Sequence, residues 1–92
     1  MGKVTIAFYG AIAKITGEKA TNVEAINLKE AIGVLTAKYG DRFKDRIYAE
    51  NGKLTRFVNI YINGKDMRFL NYLDTELRDE DGVSIIPAVG GG

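Results

Sequence analysis

An α+β domain, with one main helix packed across a mixed sheet of four to five strands, is the fold this sequence predicts. Three observations carry it. Two-residue alternation of apolar and polar side chains marks Lys3 to Tyr9 and Thr55 to Ile62, and a short apolar strand runs from Val83 to Ile86. One long segment instead has helical period, with Leu28, Ile32, Leu35 and Tyr39 recurring along a single face. The chain of 92 residues has room for one core only.

Taken in order, Lys3 to Tyr9 sets Val4, Ile6 and Phe8 against Thr5, Ala7 and Tyr9, so it reads as the first strand. Ala11 to Thr16 reads as a short turn closed by Gly17, and Lys19 to Ala25 as the second strand of a hairpin. Asn27 is placed to cap the helix, Glu30 completes a capping box three residues on, and Gly40 ends it. From Asp41 to Leu54 charges surround Phe43, Ile47 and Tyr48, and Asn51 and Gly52 supply a turn, which predicts an irregular insertion. Thr55 to Ile62 points Val58, Ile60 and Ile62 to one side and Phe57, Asn59 and Tyr61 to the other. Asn63 and Gly64 then form a two-residue hairpin turn into Lys65 to Phe69. After an irregular stretch, the acidic turn at Asp79, Glu80, Asp81 and Gly82 leads into the last strand, which Pro87 stops.

The order ββαββ plus a final strand is the β-grasp arrangement of ubiquitin-like folds. Residues 1–92 form one such domain, with a flexible glycine tail over about 88–92. Val4, Ile6, Phe8, Leu28, Ile32, Leu35, Val58, Ile60, Ile62, Val83 and Ile85 are the expected core.

Composition narrows the function. The chain is 46% hydrophobic and 27% charged, as in an ordinary globular protein. A net charge of +1 provides no field for a phosphate backbone or an anionic membrane surface, so no nucleic acid or membrane partner is expected. Cysteine and histidine are both absent, which removes the catalytic thiol, the commonest general base and the commonest metal ligands. No metal site is expected, and no enzyme activity of the chain by itself. No apolar run has the length of a membrane helix or the form of a signal peptide, which predicts a cytoplasmic protein.

The most unusual feature is the end: Gly90, Gly91 and Gly92 follow a strand, a proline and two small apolar residues. Glycine lacks the Cβ that would block a narrow channel, so such an end makes a thin stalk with an unhindered terminal carboxylate. A second candidate site is the sheet face away from the helix, where Thr5, Ala7, Tyr9, Phe57, Tyr61 and Ile86 should lie together. Tyr9, Phe57, Tyr61 and Ile86, with Pro87 and Val89 at the tail root, are the candidate partner-binding residues. The run Asp79, Glu80 and Asp81 reads as a solvated turn, since no other type of ligand accompanies it.

The segments LTRFVNIYING, from Leu54 to Gly64, and DEDGVSIIPAVGGG, from Asp79 to Gly92, with Asp66, Arg68, Phe69 and Leu73 between them, carry a resemblance over essentially the whole chain. It is to the MoaD/ThiS sulfur-carrier family, the small subunits of molybdopterin synthase and their ubiquitin-like relatives. Two departures are Ala13 and Lys14, where many members have an Arg-Glu or Arg-Asp pair, and Gly90, where alanine is common. The resemblance implies that a ubiquitin-activating-type adenylyltransferase uses ATP to adenylate Gly92, next to the unhindered Gly91, before sulfur replaces the adenylate. It implies no bound cofactor in the chain itself. The acceptor would be the large subunit of molybdopterin synthase, or a pyridoxal-dependent cysteine synthase. A third outcome is a protein modifier joined to lysines through Gly92.

Overall fold

The computed structural model describes residues 2–88; the expected tail beyond Ala88, with Val89, Gly91 and Gly92, lies outside the described residues. Strand β1 (Gly2–Phe8) buries Val4, Ile6 and Phe8 on one face. Strand β2 (Ala20–Ala25) runs antiparallel beside it, with Val4 opposite Val23. Between them Gly10–Thr16 forms helix α1, where a turn was expected. Seven residues with one fully buried side chain, Ile12, are too few to display a helical period in the sequence.

Helix α2 (Leu28–Tyr39) starts as the sequence predicts. The Asn27 side chain accepts a hydrogen bond from the Glu30 N–H at 2.8 Å, and the Glu30 carboxylate reaches back to the Ile26 N–H at 3.2 Å. Gly40, with φ of +81°, lets the chain leave α2 and enter α3 (Asp41–Ile47) without a loop. Helix α3 corrects the expected irregular insertion. Phe43 and Ile47 are one helical turn apart and fully buried, while the charged residues around them remain exposed. The Phe43 ring lies 6.2 Å from that of Phe8 and 5.7 Å from that of Tyr39, in edge and tilted contacts that tie α3 to the sheet and to α2.

Strand β3 (Val58–Ile62) begins three residues later than expected, because Thr55 is drawn into other bonds. Its N–H donates to the Ile47 carbonyl at 2.8 Å, and its hydroxyl accepts from the Phe57 N–H at 3.2 Å. The turn to β4 (Lys65–Asp66) is the expected one, with Asn63 and Gly64 both at positive φ, +52° and +83°. Strand β4 stops short of Phe69. Asp66 accepts from the Arg68 N–H at 2.8 Å and so caps a short 3-10 turn, Met67–Phe69.

Strand β5 (Gly82–Pro87) runs in the middle of the sheet, parallel to β1 and antiparallel to β3, in the order β2-β1-β5-β3-β4. The strand ends at Pro87, as expected, with the proline itself as its last residue. The Ala88 N–H donates to the Phe57 carbonyl at 2.8 Å, so Pro87, one residue earlier, faces away from that ladder and needs no N–H there. The expected core residues are buried between sheet and helices, except Val58, which is half-buried at the margin. Ile12, Val23, Ala25, Ala31, Phe43, Ile47, Met67 and Leu77 complete the core.

Phe43→Ala tests the reassignment of residues 41–47. Removing this fully buried ring should destabilise the protein by about 3–5 kcal/mol in urea unfolding. A solvated insertion would lose less than about 1 kcal/mol.

Candidate functional site

The alternation that buries Val4, Ile6, Ile60, Val83 and Ile85 sends their neighbours to the outer face. Strand register then groups them in rows. Ala7 pairs with Ser84 and Ser84 with Tyr61; Ile86 pairs with Asn59; Ala88 bonds to Phe57. Tyr9 lies one residue beyond β1 with extended backbone, φ −132° and ψ 153°, and so continues the row of Thr5 and Ala7 toward Ile86. Tyr9 and Phe57 are exposed and Tyr61 and Ile86 half-buried, an apolar surface around the exit of the chain from the sheet. Phe57 stands on the turn before β3, not on the strand. Thr5 lies toward the opposite end of the face, where its hydroxyl bonds to Asn22 at 2.9 Å.

The root of the tail is fixed from two sides. On one side is the Ala88 to Phe57 bond. On the other is Gly10, where a Cβ would stand 3.2 Å from Pro87 Cγ. Gly10 also has φ of +54°, so glycine is favoured there by conformation, and the space beside Pro87 is tight for a Cβ. Gly10 and Ala88 are site residues that the alternating pattern of the sequence did not disclose, whereas Asn59 falls on the outer side that its parity predicted. The only available signal was a glycine directly after an alternating strand. Val89, Gly91 and Gly92 lie outside the described residues.

Asp66, paired across the ladder with Tyr61, holds Arg68 in a two-pronged ion pair: Nη2 to Oδ2 at 2.8 Å and Nε to Oδ1 at 3.1 Å. The Arg68 side chain and backbone N–H hold the Asp66 carboxyl below the ordinary aspartate value. The acidic turn is held by its own carboxylates. Asp79 accepts from the Lys3 N–H, and Asp81 accepts from the Arg78 N–H and the Asn63 amide, each at 2.8–2.9 Å. Among the described residues no group of three or more histidine, cysteine or acidic side chains could hold a metal ion. Nor is any helix among them long and apolar enough to cross a membrane.

A β2-β1-β5-β3-β4 sheet around one main helix defines the class: a ubiquitin-like β-grasp protein. The ThiS family model matches residues 6–92, and the chain belongs to the ThiS family. It is 42% identical over 79 residues to the sulfur carrier protein CysO of Mycobacterium tuberculosis, covering 83% of each chain. Its fold matches the solution structure of small archaeal modifier protein 1 from Methanosarcina acetivorans with a TM-score of 0.91 and 28% identity, over 100% of this chain and 98% of that one. It also matches a chain in the crystal structure of the Amycolatopsis orientalis BexX/CysO complex, with a TM-score of 0.83 and 34% identity, over 97% and 99% of the two chains.

The Asp66 pair makes a pH prediction. Because its folded pKa is depressed, the stability it contributes is present above the ordinary value of 3.8 and lost as pH falls through the lower folded value. Asp66→Asn should therefore be less stable than the parent at pH 7 and approach it below pH 3.8. Urea midpoints across that range measure the closing gap.

Proposed function

We propose that this chain is a sulfur carrier that works through the carboxylate of Gly92. The observation that carries this reading is the anchored tail root: Pro87 against Gly10, and Ala88 bonded to Phe57. A tail that starts from a fixed point on an apolar face delivers its terminal atom to a defined place in any enzyme that grips the face. Tyr9, Phe57, Tyr61, Ile86 and Pro87 form the gripping surface. The carrier itself performs no turnover.

A carboxylate is inert to nucleophiles until one oxygen becomes a leaving group. In an adenylyltransferase of the ubiquitin-activating type, a Gly92 oxygen attacks the α-phosphorus of ATP and pyrophosphate leaves. A sulfide nucleophile then adds to the acyl carbon and AMP departs, leaving a thiocarboxylate. This species is anionic and nucleophilic at neutral pH, ready for transfer inside a synthase. The supply of ATP puts the carrier in the cytoplasm. Similarity to CysO supports a cysteine-forming synthase as the acceptor ahead of the molybdopterin synthase suggested by the sequence. Similarity to small archaeal modifier protein 1 supports a second use, conjugation of Gly92 to lysines.

The test is truncation. Deleting Gly91 and Gly92 shortens an extended tail by roughly 7 Å and leaves the core untouched, so folding should persist while ATP-dependent adenylation by the activating enzyme is lost. Adding one residue after Gly92 should be equally damaging. Intact mass reads both outcomes, and activation of the truncated chain at the parental rate would defeat the proposal.

A further inference from the structure

Strand β3, which holds the tail root on one side, has an opening on its other side. Strand β4 has two residues, which pair only with Tyr61 and Ile62 before the chain turns away at Met67. Beside Val58 to Ile60, β3 therefore has β5 on one side and no strand on the other. The Ala88 to Phe57 bond fixes which groups face which way. Odd-numbered residues of β3 face β5, and the N–H and C=O of Val58 face the open edge. Among the described residues no turn or loop backbone bonds to them.

A groove of about 570 Å³ runs along this edge, with Leu54, Val58, Met67, Tyr72 and Leu73 among its walls. Tyr72 is 56% exposed yet has φ of +52°, a costly conformation for a bulky side chain, and it stands at the rim. The groove is also charged unevenly. Arg68 is neutralised by Asp66; of the other charged lining residues, Lys53 and Arg56, which precede β3, outnumber the exposed Asp74, and none of the three makes an ion pair among the described residues.

We propose that this edge takes an extended peptide of a partner protein as an added antiparallel strand, with apolar residues in the groove and acidic residues following them. Unpaired strand groups call for main-chain partners, and the apolar walls for alternate apolar side chains. Antiparallel addition continues the β5, β3, β4 order and lays the C-terminal end of the peptide against Lys53 and Arg56, where carboxylates are complementary. The surface adjoins the tail root, since Val58 pairs with Pro87 on its other side, but the inference does not rest on the carrier chemistry.

The probe is a synthetic acetylated peptide of three valines followed by two glutamates, titrated into the full ¹⁵N-labelled chain. Amide signals of Val58, Ile60, Met67 and Leu73 should shift in a saturable way, while those of Ala7, Ser84 and Ile86 stay fixed. Methylating the central peptide nitrogen should abolish the shifts, as should Val58→Pro, whose outer-face signals report that it is folded. Lys53→Glu with Arg56→Glu should weaken binding roughly tenfold and favour the same peptide ending in two lysines. The proposal is overturned by an unmoved β3 edge at millimolar peptide, by shifts on the outer face instead, or by indifference to N-methylation.

Discussion

The parallel pairing of β1 with β5 is the constraint on which the rest of the molecule depends. It joins the first strand to the last, so every other element must be laid down between them, and it makes β5 the middle of the sheet. Val83 and Ile85 are consequently almost wholly buried, with β1 on one side and β3 on the other. A strand in that position is held by two ladders and by the core. Whatever grips or pulls the residues beyond Ala88 acts on the best-anchored segment of the domain, not on a fraying end.

This placement explains how a chain without cysteine or histidine serves chemistry. The protein contributes position. Pro87 fits against Gly10 at the end of β1, Ala88 is bonded beside Phe57, and the outer face presents Tyr9, Phe57, Tyr61 and Ile86 around the exit. In the proposed reading, reactivity is supplied by enzymes that recognise the face and receive the tail. The ThiS family, the sulfur carrier protein CysO and the small archaeal modifier protein 1 are what this β-grasp body is similar to.

Much of this was legible in the sequence wherever a signal was repeated or chemically unique. Strand β1 and helix α2 repeat their periods long enough to be read, and Asn63 with Gly64 is the pair a two-residue hairpin turn demands. Parity along β3 and β5 likewise placed Tyr61 and Ile86 on the outer face. Helices α1 and α3 were hidden because each is seven residues long, and in α3 five of the seven, Asp41, Arg42, Lys44, Asp45 and Arg46, are charged. Only the tertiary position of Phe43 and Ile47 reveals the helix. Pro87 ends β5 as read, but that it is itself a strand residue depends on which side of β5 lacks a hydrogen-bonding neighbour, and that is a property of the sheet. The roles of Gly10 and Asp66 arise from contacts with residues distant in sequence or newly turned, and no local pattern encodes them.

The central claim is that the terminal carboxylate of Gly92 is the atom group the fold exists to present. It is tested most directly by purifying the protein from cells that express its activating enzyme and a sulfur source, then measuring the mass of its C-terminal peptide. An oxygen-for-sulfur exchange confined to Gly92, absent when the activating enzyme is deleted, is the predicted result. An unmodified Gly92 under those conditions, or sulfur carried at any other residue, would contradict it.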